Sequence, residues 1–381
     1  MTGIAGYHTG VVGPSTPDAE KVAAVREALP AVGAGIYLDT PVAGPMPAES
    51  AAAMAEIAGW ELATGRVHRD RHEDVAARID EARAAVAAML TADLDDVALA
   101  PGIDAALAQA VRSIDWHPGG RIAVVDDPDL RRLTDLAPPG VAVQLLSPDA
   151  DGLGALGDAL PDTRLVALPL VSAATGARLP VESVALAAHE RGIWVLVDAS
   201  LGIGAVPVDR LALGADLLVA RSEAWLLGPE GLAIIAGATS GVMEPARLHL
   251  PSVVGFARGC GWLSMYVGLP WIHERSAALT AHAADRLAAI PGVSVLTPSH
   301  RATTLVFKIA GWSATRALDE LGSRIYLLAS ALPSDAIRVG IGFWTTTDEL
   351  DGLAECVTML ARHGPDRLPP RRQLTILGHG Q

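Results

Sequence analysis

Seven short runs of unbroken apolar residues constrain this chain more than any other feature. They are VALA (97–100), RIAVVD (121–126), VAVQLL (141–146), RLVALPL (164–170), IWVLVD (193–198), DLLVA (216–220) and LAIIA (232–236), and helical or turn segments separate most of them. A strand with one wet face alternates apolar and polar residues, whereas a continuous apolar run needs cover on both faces. A largely parallel sheet between helices gives that cover. The last two runs flank the short LGPEG turn (227–231), close enough to pair antiparallel. The expected fold class is α/β, with a seven-stranded, mainly parallel sheet.

The pattern divides the 381 residues into three parts. Residues 1–35 form an arm with one helical piece from Asp18 to Leu29. Residues 36–255 make the large α/β domain, which IYLDT (36–40) opens as a short extended segment. Prolines 41, 45 and 47 break that segment before a helix from 48 to 64. A second helix, 75–90, carries Val75, Ile79, Ala82, Val86 and Leu90 at helical spacing. Residues 256–381 read as a smaller α+β domain. Its helices are expected at 267–289, 313–322 and 347–362. Its strands are VSVL (293–296), TTLVFKI (303–309), RIYLL (324–328) and AIRVGI (336–341). The tail DRLPPRRQLTILGHGQ is broken by prolines and expected on the surface or in an interface.

Composition narrows the partners. Half of the residues are hydrophobic, enough for a sizeable core, and the formal charge is −14. That balance argues against nucleic acid or an anionic membrane and leaves a small molecule as the expected ligand. No run approaches the ~18 apolar residues of a membrane-spanning helix, and the first residues lack a basic stretch followed by an apolar one. The only cysteines, Cys260 and Cys356, build neither a disulfide framework nor a metal site, so a reducing cytoplasm is expected. Both read as core residues. His68 and His72 stand four apart in GRVHRDRHED, a metal-pair spacing. No third ligand accompanies them, so the stretch reads as a solvated charged loop and no metal is expected.

Four spaced segments carry a resemblance: YLDTPVAGPMP (37–47), SAATGARLPVESVALAAHERGIWVLVDASLGIGAVPVD (172–209), EAWLLGPEGLAII (223–235) and IRVGIGFWTTTDEL (337–350). In order and spacing, roughly Ile36 to Leu360 resembles the class V aminotransferase branch of the fold-type I pyridoxal-phosphate (PLP) enzymes. Cysteine desulfurases, selenocysteine lyases and isopenicillin N epimerase-like proteins are in that branch. The resemblance implies a homodimer in which both subunits build each site. It also implies a lysine that holds PLP as a Schiff base, an aspartate on the pyridinium nitrogen, a ring stacked on the cofactor, and polar groups on its phenolic oxygen and phosphate.

Against that pattern the chain keeps one residue and changes the others. Asp198 matches the pyridinium aspartate. The lysine position holds Ala224, preceded by Glu223. Leu201 and Ala173 stand where partners of the phenolic oxygen belong, and Asp126 and Asp127 where the stacking histidine belongs. Pro101-Gly102-Ile103-Asp104 replaces the phosphate-binding turn. The only lysines are Lys21 and Lys308, so none lies between them to supply the amine. A desulfurase also needs a mobile thiol, and LLASALP (327–333) has none.

These departures predict a protein that has lost PLP chemistry. It has no covalent cofactor, and non-covalent PLP, allowed only through Asp198, is not expected. The expected activity is PLP-independent acid–base chemistry on a small amino-acid-like or amine metabolite, in specialised biosynthesis. Asp127, Asp198 and Glu223 are the candidate catalytic residues, since closely placed carboxylates divide into acid and base. Arg338 matches the family arginine that grips a substrate carboxylate. Asp104, Ser172, Ser222 and His68 are further substrate-binding candidates. By resemblance, His68, Arg69 and Arg71 lie near a partner subunit's site. Other readings stay open: Asp126 and Asp129 as helix caps, Glu223 as a partner of Arg221, and Lys308 as a solvent-facing strand residue. At the level of the whole protein, the alternatives are a non-catalytic homologue that supports an active paralogue, and a PLP lyase or transaminase inactivated by substitution at 224.

Overall fold

All seven apolar runs become strands of one sheet in the computed structural model, which describes residues 18–67, 71–147, 162–237 and 248–369. The strands are β2 (Val97–Ala100), β3 (Arg121–Val125), β4 (Ala142–Leu146), β5 (Thr163–Pro169), β6 (Trp194–Asp198), β7 (Leu217–Arg221) and β8 (Ala233–Gly237), in the order β2-β8-β7-β6-β5-β3-β4. From β4 through to β7 every pairing is parallel; β8 runs antiparallel to β7 and to β2. The side-chain period of two sends alternate residues to two separate cores. Ile122, Val124, Leu196 and Val219 join Leu107 and Val111 of α4 (Ile103–Arg112) on one face. Ala123, Val125, Val197 and Ala220 join Val86 and Leu90 of α3 (Arg71–Leu90) and Phe256 on the other. Both faces are dry, which is why these runs show no polar alternation.

The N-terminal helix α1 (Asp18–Ala28) and α2 (Ala48–Thr64) fall where their sequences place them. Helix α3 starts at Arg71 rather than 75, inside the stretch read as a loop, with Glu73 and Asp74 in its first turn where acids favour a helix start. Its neighbour His68 lies outside the described residues, as does Arg69. After β5 come α5 (Val181–His189), then α6 (Leu250–Gly261), one π-helical segment (Trp262–Val267) and α7 (Leu269–Ala288).

The C-terminal part builds a four-stranded antiparallel sheet, β12-β13-β10-β9, from β9 (Val293–Val295), β10 (Thr304–Ile309), β12 (Ser330–Leu332) and β13 (Ala336–Gly340). Helices α8 (Ala314–Ile325) and α9 (Thr347–His363) pack on it. Arg324 and Ile325, expected in a strand, end α8 instead. Tyr326 takes a left-handed φ of 54° as its C-cap, leaving only Leu327–Leu328 as strand β11. That strand pairs in parallel with β1 (Ile36–Tyr37), and Asp39 bridges to Gly340. The IYLDT segment therefore ties the beginning of the α/β part to the C-terminal sheet. Lys308 is exposed on β10, and Cys260 and Cys356 are buried. Up to Pro369 the tail is held by Arg316 and Arg324, which donate to Pro365, Asp366 and Pro369; its remainder lies outside the described residues. Among the described residues no helix is long and apolar enough to cross a membrane.

Candidate active site at the strand ends

Parallel strands carry their ligand sites at their carboxyl ends, where loops rather than hydrogen-bonded neighbours fill the space. Asp198 is the last residue of β6 and is 3% exposed. Its Oδ1 accepts from the Ser200 backbone N–H at 2.8 Å. Ser200 Oγ in turn accepts from the backbone N–H of Arg221, the last residue of β7, at 3.0 Å. Beyond β3, Asp127 is buried and accepts from the Ala173 N–H at 2.9 Å, the Asp129 N–H at 3.2 Å and Ser172 Oγ at 3.3 Å. The same turn sends Asp129 toward Arg221, with Nη2 at 3.4 Å from Oδ2. Arg338, on β13, brings a second guanidinium from the C-terminal sheet and donates to Ser330 Oγ at 3.3 Å and to the Ala173 carbonyl at 3.4 Å.

These groups feel one another electrically. Burial pushes the Asp127 carboxyl up to about 6; the charges of Asp129 and Asp198 add to that, while the two backbone N–H groups pull it back. Burial also raises Asp198 to about 6, reinforced by Asp129 and opposed by Ser200 and Arg221. Asp39 is raised by burial against the pull of Ser330 and Arg338. Arg338 is lowered, first by burial and again by Arg221, against the carboxylates of Asp39, Asp129 and Asp127. The site thus joins Asp39, Asp127, Asp129, Asp198, Arg221 and Arg338. Among the described residues no three His, Cys, Asp or Glu side chains are grouped to hold a metal ion.

Several sequence-level candidates stand elsewhere. Asp104 pairs with Arg132 at 2.9 Å with its side chain 61% exposed, and Asp126 pairs with Arg131. Neither converges on the site, because an arginine from the turn after β3 neutralises each one in solvent. Among the described residues no helix start uses either Asp126 or Asp129 as a side-chain cap. Ser222 Oγ donates to the Pro229 carbonyl and so braces the turn rather than facing a ligand. Ser172 holds Asp127. Glu223 is at the rim, 3.9 Å from Arg221 Nη1. Arg71 is engaged with Glu61 of α2 at 2.6 Å. Leu201 and Ala173 are buried, and Ala173 contributes only its backbone.

Ala224 is fully buried. Gly44 lies directly on it: the Gly44 N–H donates to the Glu223 carbonyl at 2.7 Å, and a Cβ at Gly44 would strike the Leu227 side chain and, at 2.5 Å, the Ala224 carbonyl. The turn 41–44 is also gripped by Arg221, whose Nη2 donates to the Pro41 carbonyl at 3.3 Å. Sequence reasoning missed Asp39, Asp129 and the site role of Arg221. The signal for Arg221 was present, since it ends β7 as Asp198 ends β6.

The family model for aminotransferase class-V matches residues 36–249, more than half of the chain. The chain belongs to the class-V aminotransferase family. It is 28% identical over 237 residues to the probable cysteine desulfurase of Methanothermobacter thermautotrophicus, covering 59% of this chain and 58% of that one. A second probable cysteine desulfurase, from Mycolicibacterium paratuberculosis, is 29% identical over 60% of this chain and 38% of its own length. The match spans only those parts of these relatives. It is longer with the probable hercynylcysteine sulfoxide lyase of Mycobacterium tuberculosis, at 27% identity over 87% of this chain and 91% of that protein. Among solved structures, a lysine-to-alanine mutant of C-DES with glycine linked covalently to its PLP superposes with a TM-score of 0.80 at 18% identity, covering 87% of this chain and 98% of that one. The Escherichia coli cysteine desulfurase CsdA gives 0.74 at 21% identity, over 88% and 97%. At these identities the structural likeness concerns the fold.

Proposed function

We propose that this class-V aminotransferase-fold chain has given up PLP chemistry and works as a PLP-independent acid–base enzyme on a small amine or amino-acid-like metabolite, in specialised biosynthesis. The observation that carries the reading is the pair of buried strand-end carboxylates, Asp127 and Asp198, each pushed up to about 6. A buried carboxyl with its pKa near the working pH exchanges protons readily in both directions. Two that repel each other favour the state in which one is acid and the other base. Arg338 faces the same site and suits a substrate carboxylate, while Asp129 and Glu223 suit an ammonium group.

The residues present do not fit PLP. Ala224 stands at the position of the family lysine and offers no amine. Lys21 lies on the Trp271 ring at 4.4 Å, and the Lys308 side chain is exposed to solvent on β10. Leu201 and the Ala173 methyl cannot bond a phenolic oxygen, and the turn that would take the phosphate, Pro101-Gly102-Ile103-Asp104, offers no hydroxyl and adds the Asp104 carboxylate, which repels a phosphate ester. The relatives are PLP proteins, so the reading is a departure within the family and not an extension of it.

Two measurements test it together. PLP added to the purified protein is expected to give no saturable visible absorption. A panel of amines and amino acids incubated with the protein in D2O is expected to show, by proton NMR, deuterium exchange or elimination in at least one member. Asp127→Asn and Asp198→Asn should each slow that reaction by roughly 10²–10⁴-fold. Turnover that appears only with PLP would overturn the reading. Inertness toward the panel, with stabilisation of an active class-V protein on mixing, would favour the non-catalytic alternative. We propose a homodimer as the working form, by analogy with the family; light scattering should give twice the 39.3 kDa chain mass.

A further inference from the structure

Where two paired strands part at their ends, the last backbone groups need other partners. Strands β6 and β7 pair as far as Asp198 and Val219, and the Ala199 N–H still reaches the Val219 carbonyl at 2.8 Å. One step further, the acceptor for the Arg221 N–H is a side chain, Ser200 Oγ, at 3.0 Å. The same serine turns back on the strand end, its own N–H donating to Asp198 Oδ1 at 2.8 Å. A hydroxyl that accepts on one lone pair still has its proton to give. Ser200 gives it to the Asp198 carboxylate. At 1% exposure the serine is sealed from the solvent that would otherwise compete for that bond.

Two donors from one residue therefore meet one buried carboxylate, and both favour its ionised form over the protonated one. The charged groups around Asp198 are Asp129 and Asp127 from the turn after β3, which oppose ionisation, and Arg221 from β7, which favours it. Ser200 acts on that balance twice, since it also anchors the backbone that carries the Arg221 side chain. Ser172, the serine beside Asp127, is held less closely: it donates at 3.3 Å, and the N–H it accepts belongs to Ala174. From this geometry we infer that Ser200 is a positioning residue of the strand-end site, whose hydroxyl ties the Asp198 carboxylate to the end of β7 and keeps it as the proton acceptor. It acts through Asp198. The inference rests on the proposed function for the reaction that Asp198 serves, and not for the hold of Ser200 on that carboxylate.

Infrared difference titration of the full chain tests it, with Asp198→Asn and Asp127→Asn assigning each protonated carboxyl band. Ser200→Ala should raise the pH midpoint of Asp198 by about one unit, the effect of one donor lost from a buried anion. The Asp127 midpoint should stay or fall, because a neutral Asp198 repels it less. Ser200→Cys, which retains a weaker donor, should lie between wild type and Ser200→Ala. Circular dichroism and melting temperature establish that each variant is folded; if Ser200→Ala does not fold, the comparison rests on Ser200→Cys, which must still raise the midpoint. A lower melting temperature with an unmoved Asp198 midpoint means a serine that only braces the turn, and overturns the inference. An equal rise at both carboxyls overturns it too. For any amine or amino acid that the protein turns over, the acid limb of the kcat/KM profile should move up with the Asp198 midpoint; a limb that stays in place removes Asp198 as the acceptor and the role of Ser200 with it. A moved midpoint in a protein inert toward every amine and amino acid leaves the hold of Ser200 on Asp198 standing and removes the acid–base reading. Turnover with an unmoved midpoint does the reverse.

Discussion

Replacing Asp127 by asparagine separates the charge of this carboxyl from its shape. In the folded chain the Asp127 carboxyl titrates at about 6, against an ordinary 3.8 once unfolded. A raised folded pKa means that the native state holds the proton more tightly. The resulting stability is complete below 3.8 and is lost as the pH rises from there through about 6. The difference corresponds to roughly 3 kcal/mol of stability surrendered between pH 4 and 7. Asparagine carries no such dependence, but it brings a fixed penalty. Asp127 accepts the Asp129 N–H on one oxygen and the Ala173 N–H on the other, so the Asn amide must turn its NH2 toward one donor. That mismatch costs about 1–3 kcal/mol at every pH. The variant should therefore be less stable than wild type at pH 4.5 and should regain most of the gap, or pass wild type, by pH 7.5. Urea unfolding followed by tryptophan fluorescence at four pH values gives the comparison directly. A gap that stays constant to within about 0.5 kcal/mol over that range would refute the buried, proton-holding carboxyl and the acid–base proposal with it.

Three further outcomes follow from the same geometry. Asp198→Asn removes a charge that helps to raise Asp127, so the Asp127 carboxyl should titrate lower, read as a lower pH midpoint for the appearance of its protonated carbonyl band in infrared difference spectra. Ala224→Lys places a long amine at a fully buried position beneath Gly44; added PLP should give no lysine-bound visible band, and the melting temperature should fall. Gly44→Ala drives a methyl into the Leu227 side chain and the Ala224 carbonyl, costing about 1–3 kcal/mol in chemical unfolding.

The sheet was legible because its signal is local and redundant. Each strand declares itself within four to seven residues, and the double burial that makes Val195, Leu196 and Val197 all apolar leaves no other placement for the run. Long helices such as Ala48–Thr64 were equally plain, with prolines marking the start. Errors gathered where one residue decides. The left-handed Tyr326 that splits RIYLL into helix end and strand has no glycine to announce it. The start of α3 lay inside a charged stretch whose acids read equally well as solvated loop.

The site was legible only where a familiar position was still filled or conspicuously empty, as with Asp198 and Ala224. Asp104 and Asp126 looked like site residues because they stand in the family's phosphate-binding turn and at its stacking position, but charge in a sequence carries no information about partners. Arg131 and Arg132, consecutive in the chain, take up those two acids. The aspartate they leave unpaired, Asp127, is the one that the backbone of Ala173 and Asp129 draws inward. Burial is what separates the two groups: the paired acids gain little from ion pairs screened by water, whereas burial raises the proton affinity of the inward one. Which of these aspartates is drawn into the core is thus decided by a backbone N–H from another strand's loop, forty-six residues away.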